Sequence, residues 1–378
     1  MPSKSTTPVV PLAIVAVVAM AEAAPYQQVR VLDKPEVEFA DPFTNVGGLR
    51  ELSDGRVIVV DKGDRAVYLV DFKAGTSTQI GRPGGGPREY GIPGNLLAVA
   101  GDSTLLTDGG NRRVLALGPD AQPVGVLTDA WPMPKGEPGT RLPRGIDVRG
   151  RGYFLGSAAN VSPSGEITSL DSVPLLRAVR GLAVAETLAY VHPARRRFST
   201  QTRNGKLTSL NIIIPPFSAE DAWLPFADGT VALVRVADYH VDWLLSDGRR
   251  VAGRPIAYSP VRVTDRDKAD LARSRGRAVN GTASGGTASA PPALDWPEVK
   301  PPFAAGDAFA GADGRVWIRR YGVAGDSRTH YDVIDRRGMV VARVDVPNDG
   351  RVVGFGARAV YVVRKDADDL QYLQRFPL

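Results

Sequence analysis

The strongest constraint on the fold of this chain is an internal repeat with a spacing of 47 residues. The segment DGRVIVVDKGDRAVYLVDFKAG, residues 54–75, is matched by DSTLLTDGGNRRVLALGPDAQ, residues 102–122. Aligning Asp61 with Asp108 also aligns Arg65 with Arg112. Self-similarity at such a period predicts that one supersecondary unit is repeated around a shared core.

Each copy of the repeat alternates short apolar segments with turns, and four strands fill one copy. The 41 glycines and 30 prolines of the 378 residues supply the breaks between these strands. Looser copies follow along the chain, so the sequence predicts an all-β protein, a six-bladed β-propeller of four-stranded antiparallel blades. The predicted blades cover residues 48–81, 95–129, 144–192, 220–264, 305–347 and 351–378.

The last predicted blade, residues 351–378, is one strand short. The segment QQVRVL, residues 27–32, is a short alternating stretch left over before the first blade. We expect this N-terminal strand to close the last blade, because a closed ring hides the two edges that an open array of blades would leave unpaired.

One part of the repeat carries a family resemblance. DGRVIVVDKGDRAVYLVD, followed by IGRPGGGPREYGIPG, resembles the NHL-type repeat, in which an apolar strand ends in Asp and is followed by a turn, an Arg, an alternating strand and a Gly/Pro crossing. The resemblance is sharp over residues 54–122 and architectural elsewhere. It implies the NHL-like class of six-bladed propellers, which is common among exported bacterial proteins and serves many functions.

The glycine-rich stretch of residues 77–96 is predicted to be a crossing between two blades. A Walker-type loop ends in Gly-Lys-Ser/Thr, whereas here Gly86 is followed by Pro87 and Arg88. Pro93 would also interrupt a helix within one or two turns, so no helix dipole can be aimed at a phosphate. The sequence therefore excludes a nucleotide-binding loop at this place.

The N-terminus has the pattern of a secretory signal peptide. Lys4 precedes an apolar run over residues 9–21, and small residues suited to cleavage follow, so a signal peptide is predicted over residues 1–23. The run is shorter than the roughly 20 residues that span a membrane. We expect a secreted or periplasmic protein without membrane insertion after cleavage, and the absence of cysteine excludes both lipidation at cysteine and disulfides.

The formal net charge of +6 raises the question of an acidic partner. The basic residues are scattered, however, and their densest cluster, residues 195–197, lacks a following basic tract and is predicted to be a solvated loop. We therefore predict no nucleic-acid partner, and export would also separate the chain from RNA. We expect a monomer.

Residues that recur between blades are expected to serve the architecture, whereas a reactive site has to be assembled from positions that differ. Asp61 and Asp108 each end an apolar strand. Their carboxylates are expected to accept loop N–H groups and to pair with Arg65 and Arg112, respectively. A charged rim for a ligand is the alternative interpretation.

The three histidines are candidates for catalytic or zinc-binding groups. His240 and His330 fall at the same point of blades 4 and 5, each two residues before an aspartate, Asp242 and Asp332. Such a couple can orient an imidazole for proton transfer, but the repetition favours an inter-blade hydrogen bond. Three histidines from three blades would suit zinc, but His192 has no matching strand position.

A binding site at the channel mouth is predicted to have a basic side and an aromatic side. Arginine can hold a carboxylate with two hydrogen bonds, and aromatic rings bury apolar surface, so the ligand or protein segment would carry an anionic group and an apolar body. The predicted ligand-binding residues are Arg65, Arg88, Arg112, Arg113, Arg144, Phe217, His240, Trp296, Phe303 and His330.

The favoured interpretation is an exported scaffold that binds a protein or small-molecule partner, with no cofactor and no resident metal. The alternative is a divalent-metal-dependent hydrolase of the gluconolactonase or paraoxonase type, because similar propellers hold calcium in the channel with Glu, Asn and Asp side chains. No Gly-x-Ser-x-Gly segment or cysteine nucleophile is present. The candidate calcium ligands are Asn45, Glu89, Glu220, Asp221, Asn348 and Asp349.

The longest insertion, residues 265–303, separates blades 4 and 5. Residues 265–278 combine charged side chains with Ala, Leu and Val at loosely helical spacing, and residues 280–292 have the low complexity of a flexible segment. We expect a flexible surface insertion. A lid over the channel mouth is the alternative.

Overall fold

The computed structural model describes residues 29–128, 130–132, 141–162, 166–203, 206–280, 294–347 and 349–378. These residues form six sheets of four or five strands, in which neighbouring strands are antiparallel apart from one added N-terminal strand, and three further two-stranded sheets. Each of the six larger sheets contacts the next along the chain, and the sixth contacts the first. The prediction of an all-β, six-bladed propeller is therefore confirmed.

Two strands precede the blades, and the first three blades follow in chain order. The crossing from blade 1 to blade 2 contains a parallel pair, and blade 3 carries one hairpin between its second and third strands and another after its last strand. The N-terminal strands are β1 Val29–Val31 and β2 Val37–Glu38. Blade 1 consists of β3 Val46–Glu51, β4 Val57–Asp61, β5 Ala66–Asp71 and β6 Thr76–Gln79, and the crossing contains β7 Arg82–Pro83 and β8 Glu89–Tyr90. Blade 2 consists of β9 Pro93–Ala98, β10 Thr104–Asp108, β11 Arg113–Leu117 and β12 Pro123–Val126. Blade 3 and its hairpins contain β13 Gly145–Ile146, β14 Arg151–Leu155, β15 Ala159–Val161, β16 Ile167–Ser169, β17 Val173–Val179, β18 Ala185–Val191, β19 Arg197–Arg203 and β20 Lys206–Ile213.

The second half of the chain completes the ring, with one helix in the insertion between blades 4 and 5. Blade 4 consists of β21 Ala222–Pro225, β22 Val231–Arg235, β23 His240–Leu244 and β24 Arg250–Val251, and the helix is α1 Asp265–Asn280. Blade 5 consists of β25 Phe303–Ala310, β26 Val316–Arg320, β27 Arg328–Ile334 and β28 Val340–Pro347, and blade 6 begins with β29 Gly350–Phe355, β30 Ala359–Lys365 and β31 Gln371–Pro377.

Strand alternation explains how one blade joins two neighbours. In β4 every residue is buried. Val57 and Val59 pack in a core shared with blade 6, whereas Ile58 and Val60 pack in a core shared with blade 2. Because successive side chains of a strand point to opposite faces, a continuous apolar run is what a strand between two neighbouring sheets requires.

The ring is closed by a different N-terminal strand from the one predicted. β2 completes blade 6, pairing antiparallel with β31 so that Val37 lies opposite Arg375. The prediction for residues 27–32, of which 27 and 28 lie outside the described residues, is wrong, because β1 pairs in parallel with β28 and extends blade 5. Leu32 is buried between blades 5 and 6 and Phe39 between blades 6 and 1, and these two anchors place β2 at the vacant edge.

The insertion begins with a capped helix. Thr264 N donates to Asp267 Oδ2 at 2.9 Å, and Asp267 N donates to Thr264 Oγ1 at 3.3 Å, which is the reciprocal arrangement of a capping box. Lys300 Nζ forms a buried ion pair with Asp267 Oδ1 at 2.7 Å and donates to the carbonyl oxygen of Gly322 at 2.8 Å. The start of the helix is thus fixed to blade 5.

Two predictions fall outside what the structure describes. The predicted signal peptide lies within residues 1–28, and residues 281–293 cover most of the low-complexity part of the insertion. Among the described residues, no helix has the length and apolar character needed to cross a membrane.

Candidate functional site

Asp61 and Asp108 tie the turn after the second strand of a blade to the crossing that enters that blade. Asp61 is fully buried, and its carboxylate accepts hydrogen bonds from Thr44 N at 2.7 Å and Asn45 N at 2.9 Å. Asp108 is equally buried and accepts from Gly91 N at 2.9 Å. Both aspartates therefore bind loop N–H groups, as the repeat predicted.

The predicted arginine partners of these aspartates are wrong. Neither Asp61–Arg65 nor Asp108–Arg112 forms an ion pair in the described part of the chain, and Asp108 Oδ2 instead lies 3.2 Å from Arg113 Nε. Arg65 and Arg112 have φ of 53° and 49°, a left-handed conformation that ends the turn, so the following residue begins the next strand beside the carboxylate.

Arg113 is a structural residue rather than part of a ligand site. Its guanidinium donates to the carbonyl oxygens of Gly85 at 2.9 Å, Gly86 at 2.7 Å and Glu89 at 2.9 Å. Glu89 Oε2 in turn accepts from Gly86 N at 2.7 Å. The glycine-rich stretch is thus a crossing fastened to blade 2, and Arg88 lines a separate cavity at its surface.

His240 is held within its own blade. Its Nδ1 lies 2.6 Å from Asp238 Oδ1, and its Nε2 lies 3.2 Å from Asp242 Oδ1. Asp242 is almost completely buried and also pairs with Arg235 and Arg250. Because both ring nitrogens have carboxylate neighbours, His240 stabilises blade 4.

His330 occupies the equivalent position in blade 5. Its Nδ1 lies 2.7 Å from Asp345 Oδ1 and its Nε2 lies 3.0 Å from Asp326 Oδ2. Burial lowers the pKa of His330, but the hydrogen bonds to these two carboxylates outweigh it and raise the pKa. The expected inter-blade bond of the histidines is wrong; Asp332 instead accepts a hydrogen bond from the Tyr239 hydroxyl of blade 4 at 2.7 Å.

Two of the three aromatic residues of the predicted site lie close together, and the third is in the core. The rings of Phe217 and Trp296 lie 6.2 Å apart, and Tyr321 meets Phe217 edge-on at 5.2 Å. Phe303, by contrast, is 1% exposed and packs against Tyr239 between blades 4 and 5, so it is a core residue. A cavity of about 500 Å³ opens beside Phe217 and Trp296. It is lined mainly by prolines and aromatic residues, with His192, Arg195, Asp295 and Lys300 as its charged or titratable members.

A smaller cavity of about 150 Å³ lies against the first strands of blades 4 and 5 and the entry to blade 3. His192, at the end of β18, lines both this cavity and the aromatic one. Its Nδ1 lies 3.0 Å from the carbonyl oxygen of Asp171. A carbonyl oxygen only accepts hydrogen bonds, so Nδ1 carries the hydrogen and Nε2 is the nitrogen that accepts a proton.

The smaller cavity is also lined by two guanidinium groups, Arg144 and Arg196, and two carboxylates, Glu220 and Asp221. Arg144 lies 5.2 Å from the ring centre of Trp223, and loss of surrounding water lowers its pKa although the Glu220 carboxylate acts in the opposite direction. Arg196 Nε is buried and has no hydrogen-bond partner among the described residues.

The ten predicted ligand-binding residues therefore do not form one site. Arg144 lines the smaller cavity, Phe217 and Trp296 line the aromatic cavity, and Arg65 lines a third cavity between blades 1 and 2. Arg112 is exposed and lines none of these three. His192 is not among the predicted site residues, because no other blade has a histidine at the matching position. The same lack of a match is what the sequence analysis expects of a reactive group.

The candidate calcium ligands do not fit a metal centre. Asp221 is engaged by His192 N at 3.0 Å, by Arg235 at 2.8 Å and by Val236 N at 2.9 Å. Glu89 is engaged within the crossing, and Asn348 lies outside the described residues. Within the ranges that the structure describes, no three His, Asp or Glu side chains are grouped so that they could hold a metal ion.

Comparisons with known proteins found likeness at the level of structure only. No protein-family model and no curated protein sequence matches the chain. A gluconolactonase from Xanthomonas campestris matches with 11% identity and a TM-score of 0.43, covering 94% of this chain and 99% of its own. A calcium-binding protein, regucalcin, from Agrobacterium tumefaciens matches with 14% identity and a TM-score of 0.39, covering 93% and 98%. The PQQ-bound form of an aldose sugar dehydrogenase from Streptomyces coelicolor matches with 15% identity and a TM-score of 0.43, covering 90% and 97%.

At these values the likeness assigns no role to any residue of this chain. The NHL-type name is not supported by a family match. Two predictions are corrected. The names of these proteins, a gluconolactonase, a calcium-binding protein and a PQQ-bound dehydrogenase, correspond to the alternative of a metal-dependent hydrolase rather than to the first choice of a binding scaffold without a cofactor.

Proposed function

We propose that this chain is a hydrolase of cyclic esters, of the lactonase type, and that it acts in the smaller cavity. The observation that carries the proposal is the imidazole of His192. Its Nδ1–H is bound to the Asp171 carbonyl, which leaves Nε2 as a base, and the same cavity contains Arg144 and Arg196. The carboxylates of Glu220 and Asp221 line the cavity as well, so the proposal assigns the base to His192 and the stabilisation of negative charge to the two arginines.

The reaction follows from these groups. His192 Nε2 removes a proton from a water molecule as its oxygen attacks the carbonyl carbon of the ring, and the carbonyl oxygen becomes negatively charged. The guanidinium groups of Arg144 and Arg196, which line the cavity, stabilise this oxyanion. The C–O bond of the ring then breaks, and the imidazolium returns the proton to the leaving alkoxide. The product is an open-chain hydroxy acid.

The volume of the cavity limits the size of the reacting ring. Its volume of about 150 Å³ is the same as that of a protein cavity that binds benzene. A five- or six-membered lactone ring therefore fits. His192 also lines the aromatic cavity, where Phe217 and Trp296 would receive an apolar substituent of the ring. The candidate calcium ligands do not fit a metal ion, so the proposed reaction uses only water and the side chains of this chain.

The proposal is tested by titrating the acid released from a panel of γ- and δ-lactones, with and without an apolar substituent, each with and without added Ca²⁺. We expect hydrolysis by the wild type and a loss of about 10²–10⁴-fold in kcat for His192→Gln, the usual worth of a general base. His240→Gln is the matched control and should retain activity, because His240 is engaged within blade 4. Failure of the wild type to hydrolyse every lactone, or equal activity of His192→Gln, would overturn the proposal.

A further inference from the structure

The third cavity, between blades 1 and 2, has a volume of about 400 Å³ and a basic lining. Its polar groups are the ammonium of Lys62, the guanidinium of Arg65, the amide of Asn95 and the hydroxyl of Thr107. We propose that it is a binding site for an anionic oxygen group, a carboxylate or a phosphate, carried by a small molecule. Two cations and an amide around one cavity suit such a group.

The two cations are available because nothing else in the described residues neutralises them. Neither Lys62 nor Arg65 has a side-chain hydrogen bond or ion pair there, although both lie next to acidic residues in the sequence. Those acids are occupied elsewhere: Asp61 binds backbone N–H groups, and Asp64 Oδ1 accepts from the Thr44 hydroxyl at 2.8 Å. Asp108, across the turn of the next blade, is paired with Arg113.

The surrounding backbone places these groups. A Cβ atom at Gly47 would lie 2.3 Å from Lys62 Cε, so glycine leaves room for the lysine side chain to lie across β3. A Cβ atom at Gly94 would lie 2.6 Å from Thr107 Oγ1, which accepts a hydrogen bond from Asn95 N at 2.7 Å. The absence of a Cβ at both positions lets the polar side chains approach the backbone closely.

The site lies where the two best-matched blades differ. The repeat aligns Lys62 with Gly109, which lines the same cavity, and Arg65 with Arg112, which does not line it. Only blade 1 therefore presents both cations together. This is the sequence signature of a site rather than of a repeated structural contact.

The site is also close to the proposed catalytic cavity. Leu142 lines the basic cavity and Arg144, two residues later, lines the smaller one, and Asn95 Nδ2 donates to the intervening Pro143 carbonyl at 3.2 Å. The anionic group could thus belong to a substrate or to its hydroxy-acid product. This link rests on the proposed function, whereas anion binding does not.

Calorimetric titration of the whole chain with gluconate and, separately, with inorganic phosphate tests the inference. Lys62→Gln removes one charge, and Arg65→Asn removes the other with a residue that tolerates the left-handed backbone. Each should weaken the binding of the preferred anion by about tenfold or more, the usual size of a charged hydrogen bond. Arg112→Asn, the same change at the same backbone conformation in blade 2, is the control and should bind within about twofold of the wild type.

The outcomes are separable. Tighter binding of gluconate assigns the site to a carboxylate, and tighter binding of phosphate assigns it to a phosphoryl group. Absence of binding for both anions, or equal weakening by Arg112→Asn, overturns the site. Because binding is measured directly, a protein that binds the anion but hydrolyses no lactone would refute the proposed function and leave the anion site standing.

Discussion

Blades 1 and 2 and blades 3 to 5 use their polar residues in different ways. In the first pair the repeat is sharp, and the aligned carboxylates of Asp61 and Asp108 are consumed by backbone N–H groups of the crossings. In the second region hairpins and an insertion interrupt the pattern, and His192 and Arg196 line a cavity between the blades.

This difference indicates that a carboxylate shared by aligned blades has a structural role, whereas a polar residue that differs between blades is a candidate for binding or catalysis. A polar group present in every copy has to satisfy the same geometric need in each copy. Lys62 illustrates the rule inside the regular region, because it stands where the next blade has Gly109 and is left without a partner in the described residues. Each proposed site therefore includes one unmatched residue, Lys62 in the regular region and His192 in the other.

The largest expected effect separates the two N-terminal strands. A chain starting at Leu32 loses only β1, an added edge strand with exposed side chains, and should lose about 1 kcal/mol of unfolding free energy. A chain starting at residue 41 also loses β2 and the buried Phe39, which alone should cost about 3–5 kcal/mol. Urea unfolding measures both, and equal losses would contradict the assignment of β2 as the closing strand.

The next effect concerns the repeated aspartates. Asp61→Ala and Asp108→Ala each leave several loop N–H groups unsatisfied, so each should lower the free energy of unfolding by about 3 kcal/mol. Asp64→Ala, an exposed neighbour, is the control and should change it by about 0.5 kcal/mol or less. A large difference between the first two variants would break the equivalence of the two blades.

The smallest expected effect is a pH dependence in blade 5. Because the folded-state pKa of His330 is raised above its ordinary value of 6.5, the protonated ring stabilises the fold. This stabilisation is complete below about pH 6.5 and is lost as the pH rises through the folded-state pKa. Thermal unfolding across this range should show a falling midpoint that His330→Gln flattens. An unchanged slope in the variant would show that Asp326 and Asp345 do not hold the charged ring.

The repeat predicted the blades well because apolar alternation and turn residues act locally. It misplaced the closing strand, since residues 27–32 and β2 are both short alternating segments and only the burial of Leu32 and Phe39 on either side decides between them. It also predicted Arg112 instead of Arg113 as the partner of Asp108, because an alignment of residues does not show that Arg112 has a left-handed backbone. The cavity of His192 depends on contacts between three blades, which no local pattern encodes.

The most direct test of the account compares turnover and stability in the same two variants, Asp61→Ala and His192→Gln. Lactone hydrolysis per folded molecule and the free energy of unfolding are measured at one temperature at which both variants remain folded. We predict that Asp61→Ala loses about 3 kcal/mol of stability and keeps its turnover, whereas His192→Gln keeps its stability and loses turnover by about 10²-fold or more. The reverse pattern, or a parallel loss of both quantities in both variants, would contradict the separation of repeated structural positions from unmatched catalytic ones.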